Sequence, residues 1–127
     1  MSSDGQSGAW FAVLSTERRD GTLYVIAVGE IDTGNQRPLE DALYAAVIGG
    51  HDRVDLDVGL VTFIDAAVVA TLVRTRELAV ERGCVFRVLR PTGLVARVLS
   101  LTSTGYLLCA AEYPVTVRHP CLPPATT

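Results

Sequence analysis

The chain has no apolar run approaching the roughly 20 residues that a membrane-spanning helix needs, so a helical membrane protein is not expected. Its first ten residues, MSSDGQSGAW, lack both the basic and the apolar region of a signal peptide. Positive charge is not in excess either. Eleven Lys and Arg stand against fourteen Asp and Glu, a net charge of −3, which gives no attraction to nucleic acid or to an anionic membrane. Cysteine is sparse: Cys84, Cys109 and Cys121 are odd in number, widely spaced and without a companion ligand at metal-site spacing. They read as reduced thiols, Cys84 and Cys109 half in the core, with no disulfide framework and no metal. His51 and His119 are equally isolated and read as surface residues. There is no Gly-rich phosphate loop and no placed Ser/His/Asp set. The only paired carboxylates are Asp55 and Asp57, on one strand face. These absences point away from enzymes and cofactors and toward a cytoplasmic protein.

What is present is a globular composition, 49% hydrophobic and 20% charged over 127 residues, enough for one domain with its own core. The chain organises itself around residues 53–82. Val54, Leu56 and Val58 alternate with Asp55 and Asp57, the period-2 pattern of a strand with one covered face. Gly59 breaks that run and residues 59–64 form a loop. Asp65 then stands as an N-cap, its carboxylate able to accept free amides at the positive end of a helix. Val69, Leu72, Val73, Arg76 and Val80 follow at i, i+3, i+4 spacing, predicting a helix over 65–82 packed on a sheet.

Around this centre the chain reads in order. Residues 1–8 are a Ser/Gly-rich tail expected to be disordered. Residues 10–16 form a first strand, 17–22 a turn about Asp20-Gly21, and 23–28 a second strand that is almost wholly apolar. A helix over 35–48 has Pro38 in its first turn, the stripe Leu39, Ala42, Leu43, Ala46 and Val47, and a stop at Gly49-Gly50. After the helix that Gly83 ends come a strand over 85–89 and a helix over 92–103, with Leu94, Val95, Val98 and Leu99 inward and Gly105 as its stop. Residues 106–117 are apolar but interrupted by Pro114, at most an edge strand or two short pieces. Residues 119–127 are a Pro-rich tail. The order β-β-α-β-α-β-α over residues 9–118 gives a single α/β domain with a mixed sheet and packed helices.

Three blocks in this order, GEID at 29–32, LDVGLVTFID at 56–65 and PTGLVARVLSLT at 91–102, resemble the STAS domain over roughly residues 10–108. That fold is shared by bacterial anti-sigma factor antagonists, stressosome proteins and the cytoplasmic tails of sulphate transporters. The resemblance implies a partner-binding surface comprising Glu30, Asp32, Thr62, Phe63, Asp65, Ala66, Ala67, Val68 and Val69. In phosphorylatable antagonists the helix-opening Asp is followed by Ser or Thr, then a small residue, Gly and Leu, and a kinase-type anti-sigma factor phosphorylates the hydroxyl. Here Ala66 and Ala67 occupy the hydroxyl positions and Val68 the Gly position. Ala66 offers no nucleophile, so the usual switch is absent: either Ala66, Ala67 and Val68 are helix-start filler in a decayed copy, or the alanine keeps the shape and neutrality of an unphosphorylated serine and holds the protein in its partner-binding state, the reading favoured here. Val68 stands against that reading, because a β-branched side chain at a close-contact position would obstruct a partner. Asp32 is read equally as a partner contact and as a turn carboxylate. Thr62, Thr71 and Thr75 are nearby hydroxyls, the last two read as helix surface and poor substitute acceptors.

The resemblance implies a bacterial, non-enzymatic regulator of transcription that binds a kinase-type anti-sigma factor, with no nucleic acid, membrane or metal partner. The alternative is a scaffold STAS subunit of a stressosome-like or transport complex, in which the same surface holds a partner permanently. Genomic neighbours separate the two, a kinase-fold anti-sigma or sigma gene for the first and a lipid-transporter operon for the second.

Overall fold

Asp20 and Gly21 both carry positive φ, 54° and 79°, the pairing a type I′ hairpin turn requires. In the computed structural model, which describes residues 11–109, they join β1 (Phe11–Arg19) to an antiparallel β2 (Thr22–Ile31). The chain then passes through α1 (Arg37–Ile48), β3 (Arg53–Ile64), α2 (Ala66–Arg82), β4 (Val85–Leu89), α3 (Gly93–Leu101) and α4 (Gly105–Cys109). The sheet order is β1-β2-β3-β4, with β3 parallel to β2 and β4 parallel to β3. Both crossovers step the same way across the sheet, so with the usual single hand of such connections their helices fall on one face. There α1 packs on α2, and α3 and α4 lie against β3 and β4.

The core lies between that face and the helices. Val25 and Ala27 of β2, Leu56 and Val58 of β3, and Phe86 and Val88 of β4 meet Leu39 and Leu43 of α1, Val68 and Leu72 of α2, and Val95 and Leu99 of α3. The single mixed α/β domain expected from the sequence is present.

Several local expectations need correction. β3 does not stop at Gly59 but runs to Ile64, because β2 also continues to Ile31 and keeps pairing with it. The pairing slips between Ile26/Val28 and again between Gly29/Glu30, each time leaving an extra residue on β3. Bulges of this kind re-aim side chains. Here Val61 and Ile64 both enter the core while Leu60, Thr62 and Phe63 turn outward.

The buried stripe of α2 is also rotated from the expected one. Val68, Leu72, Thr75 and Ala79 are buried with Val69 and Thr71, whereas Val80 is exposed. Thr71 and Thr75 are therefore core residues, not surface ones. The Thr75 hydroxyl donates to the Thr71 carbonyl (2.8 Å) and the Thr71 hydroxyl to Gln36 Oε1 of the α1 N-cap (2.7 Å), so neither enters the core unsatisfied.

Leu94 on α3 is exposed, and Gly105 opens α4 instead of only ending α3. His51 is half-buried, its Nδ1 shielded without a hydrogen-bond partner. Residues 106–109, expected to begin an edge strand, are instead helical in α4, and the rest of that stretch, the two tails, His119 and Cys121 lie outside the described residues.

Candidate functional site

β2 and β3 end side by side, Ile31 against Ile64, so the residues that follow each strand must meet. After β2 the chain makes a self-contained turn. Asp32 Oδ1 accepts the amides of Gly34 (2.9 Å) and Asn35 (3.2 Å), and Asn35 Oδ1 accepts the amide of Asp32 (2.8 Å). Asn35 Nδ2 donates to the Glu30 carbonyl (2.8 Å). The Asp32 carboxylate is thus engaged with its own loop, the turn role weighed for it from the sequence. Glu30 projects into solvent.

After β3, Asp65 has extended backbone and caps α2, its Oδ1 accepting the Val68 amide at 3.1 Å. This satisfies one of the amides that the first turn of a helix leaves open. Its second oxygen faces the other loop. Asp65 Oδ2 accepts both the backbone N–H and the hydroxyl of Thr33, each at 3.0 Å. One carboxylate therefore fastens the β2–α1 loop to the start of α2. Deeper in the same seam, the Thr71–Gln36 bond makes a second tie, and Arg74 Nη2 donates to the Thr71 hydroxyl at 3.1 Å.

Around the fastened point the surface is mixed. Ala66 is exposed and Ala67 half-exposed, directly beside Asp65. Leu60 (49% exposed) and Phe63 (37%) add apolar surface from the bulged end of β3. Thr62 is exposed, its hydroxyl 3.5 Å from the Gly29 carbonyl. Val68 and Val69 do not belong to this rim. They retain only 0% and 4% exposure, and the predicted clash between Val68 and a partner disappears because its side chain points into the core. Five of the expected surface residues, Glu30, Thr62, Phe63, Ala66 and Ala67, present side chains to solvent. Asp32 and Asp65 are half-buried and hold the rim in shape.

Sequence reasoning missed Thr33. The signal was present, since a hydroxyl residue directly after Asp32 closes a strand expected to lie beside the one that Asp65 follows. It also missed how the strand carboxylates are used. Asp55 is fully buried against its register partner Arg87, whose Nε and Nη2 donate at 2.8 and 3.2 Å. Asp57 accepts from Arg90 Nε at 3.0 Å and from the Gly59 amide at 2.9 Å. The Arg90 guanidinium lies so flat on Gly59 that a Cβ there would come within 2.5 Å of it. Each carboxylate is neutralised by its own arginine, a structural arrangement with no unpaired acid and base. Among the described residues no cluster of His, Cys, Asp and Glu is placed to hold a metal, and no helix is long and apolar enough to cross a membrane.

A family model described as Mlab, STAS domain matches residues 14–108. The chain belongs to the STAS domain family. Among solved structures, this STAS domain is similar to an anti-sigma factor antagonist from Mycobacterium paratuberculosis. The two share 26% identity over 84% of this chain and 88% of that one, with a TM-score of 0.69. SpoIIAA, an anti-sigma factor antagonist solved in its unphosphorylated form, superposes with a TM-score of 0.61 at 14% identity, over 84% of this chain and 90% of its own. The protein TM1081, solved by NMR, gives 0.66 at 19% identity over 88% and 90%. The last two likenesses show the fold alone. No match is found among proteins with curated descriptions.

Proposed function

We propose that this STAS domain acts as an anti-sigma factor antagonist that binds a kinase-type anti-sigma factor through the rim formed by Glu30, Thr62, Phe63, Ala66 and Ala67. In this reading the protein is a regulator of transcription that acts by binding, without a reaction of its own, in the bacterial cytoplasm. The observation that carries it is the exposed Ala66 beside Asp65, at the end of a loop fastened by Thr33. That is an ordered, partly apolar surface that presents the Ala66 methyl group, and in this reading the methyl stands at the position that carries the hydroxyl in a phosphorylatable antagonist. A methyl group cannot accept phosphate, so the partner has no means of expelling this chain by modifying the start of α2. Leu60 and Phe63 supply apolar area of the kind that anchors protein contacts.

The test is to incubate the full chain with each kinase-type anti-sigma factor encoded in its own genome and with ATP. A complex that forms before nucleotide is added, and no phosphate on residues 65–69 by peptide mass spectrometry once ATP is present, is the expected result. Stoichiometric phosphate on Thr62 or Thr71 would mean that the switch has moved along this end of the chain rather than vanished, and failure to bind any such factor gives the function to the scaffold reading, a permanent subunit of a stressosome-like or transport assembly.

A further inference from the structure

We propose that Thr33 is a phosphoacceptor, so that regulation at this rim is carried on the β2–α1 loop instead of on α2. The inference rests on the kinase-type partner proposed above. Hydroxyls around the rim differ sharply in what surrounds them. Thr71 and Thr75 are buried and bonded within the α1–α2 seam. Thr62 reaches only a main-chain carbonyl, at 3.5 Å. Thr33 is exposed and donates its hydroxyl proton to a carboxylate, Asp65 Oδ2, at 3.0 Å, with its own backbone N–H bonded to the same oxygen. That second bond fixes the residue, so Oγ1 of this exposed threonine is held with its proton turned toward Asp65. This is the orientation a hydroxyl needs for in-line attack with a base within hydrogen-bond reach.

The step balances with a nucleoside triphosphate held by the partner. Oγ1 of Thr33 forms a bond to the γ-phosphorus and the bond from that phosphorus to the β,γ-bridging oxygen breaks. ADP leaves with the electron pair, and the hydroxyl proton passes to Asp65 and on to solvent. The product places a phosphate of about −1.5 to −2 charge against the Asp65 carboxylate. Repulsion then opens the tie between loop and helix, while Asp65 Oδ1 keeps its bond to the Val68 amide. The rim loses its fixed loop and the partner its matching surface. A regulator without a hydroxyl at residue 66 thus retains a route to release.

The experiment uses the full chain with the kinase-type anti-sigma factors of its own genome and γ-labelled ATP, followed by peptide mass spectrometry. Label on Thr33 is expected, lost in Thr33→Val, kept in Thr33→Ser and slowed about a hundredfold or more in Asp65→Asn. Amide exchange of the labelled chain should quicken at Thr33 and stay slow at Val68. Label on another residue, or a stable complex that gains no label, overturns the Thr33 inference and leaves the kinase-type partner standing. If no such factor binds or labels the chain, both fall together.

Discussion

Removing the Asp65 carboxylate is the sharpest structural test of the rim, because one side chain holds three bonds on two segments. Losing an N-cap costs about 0.5–2 kcal/mol, typically about 1. Hydrogen bonds to a charged acceptor contribute about 1.5–3 kcal/mol each. Thr33 is exposed and Asp65 half-buried, so solvent returns much of that and about 0.5–1 kcal/mol per bond is the fair share. Asp65→Ala should therefore destabilise by about 2–3 kcal/mol. For a domain of this size that is a fall in Tm of about 8–12 °C. Thr33→Val removes only the hydroxyl bond and should cost about 0.5–1 kcal/mol. The double variant should be less destabilised than the sum of the two by about that amount, since both delete the same bond. Urea unfolding of the four proteins measures the cycle. An Asp65→Ala loss below about 0.5 kcal/mol, or strictly additive singles, would show that the tie contributes nothing and that the rim is shaped by something else.

The paired strand charges and the buried thiol give two more expectations. Arg87→Ala leaves the fully buried Asp55 without its guanidinium. Because Arg87 is itself partly exposed, the cost is about 2–4 kcal/mol by urea unfolding, below the range for a wholly buried pair. Replacing both partners, Asp55→Val with Arg87→Met, should recover at least half of that, and no recovery would mean the pair is needed for more than mutual neutralisation. Burial, and then the nearby Asp52 carboxylate, push the Cys84 thiol above its ordinary value. The unfolded chain then ionises first as pH rises, so the contribution of Cys84 is complete below the ordinary thiol range. It is lost as pH climbs from there through the raised folded value. Cys84→Ala should flatten that alkaline decline in Tm, and an unchanged slope would refute the assignment.

Much of the fold was legible because its signals are local. Asp20-Gly21 needs only its own backbone preferences, Asp65 needs only the amides that follow it, and Gly83 closes α2 at φ 71° in the left-handed region that glycine tolerates. What escaped depends on distant residues. Gly59 looks like a strand breaker until β2 is seen to continue beside it, and the bulges that send Val61 inward exist only in the pairing. Thr71 and Thr75 read as polar surface because a sequence does not show that a hydroxyl can be satisfied by a carbonyl one turn back or by Gln36 on another helix. Val68 read as an obstruction for the related reason that the phase of α2 was centred one position off. The candidate site was half visible. Asp65 and Ala66 stand out in the chain, but Thr33 lies 32 residues from Asp65 and joins it only because two parallel strands end together.

The central claim, that the surface beside Asp65 is where an anti-sigma factor binds, is tested most directly by putting a charge on Ala66 and measuring affinity and stability together. Ala66 is exposed at the first position of α2. There a carboxylate is favoured by the helix dipole by a few tenths to about 1 kcal/mol, so Ala66→Glu should melt within about 4 °C of the wild type. In a contact, an unpaired buried carboxylate costs on the order of several kcal/mol. Titration calorimetry against the kinase-type anti-sigma factor should then show affinity reduced at least tenfold, with the fold intact. Equal affinity for the wild type and Ala66→Glu would contradict the account and move the partner surface elsewhere on the domain.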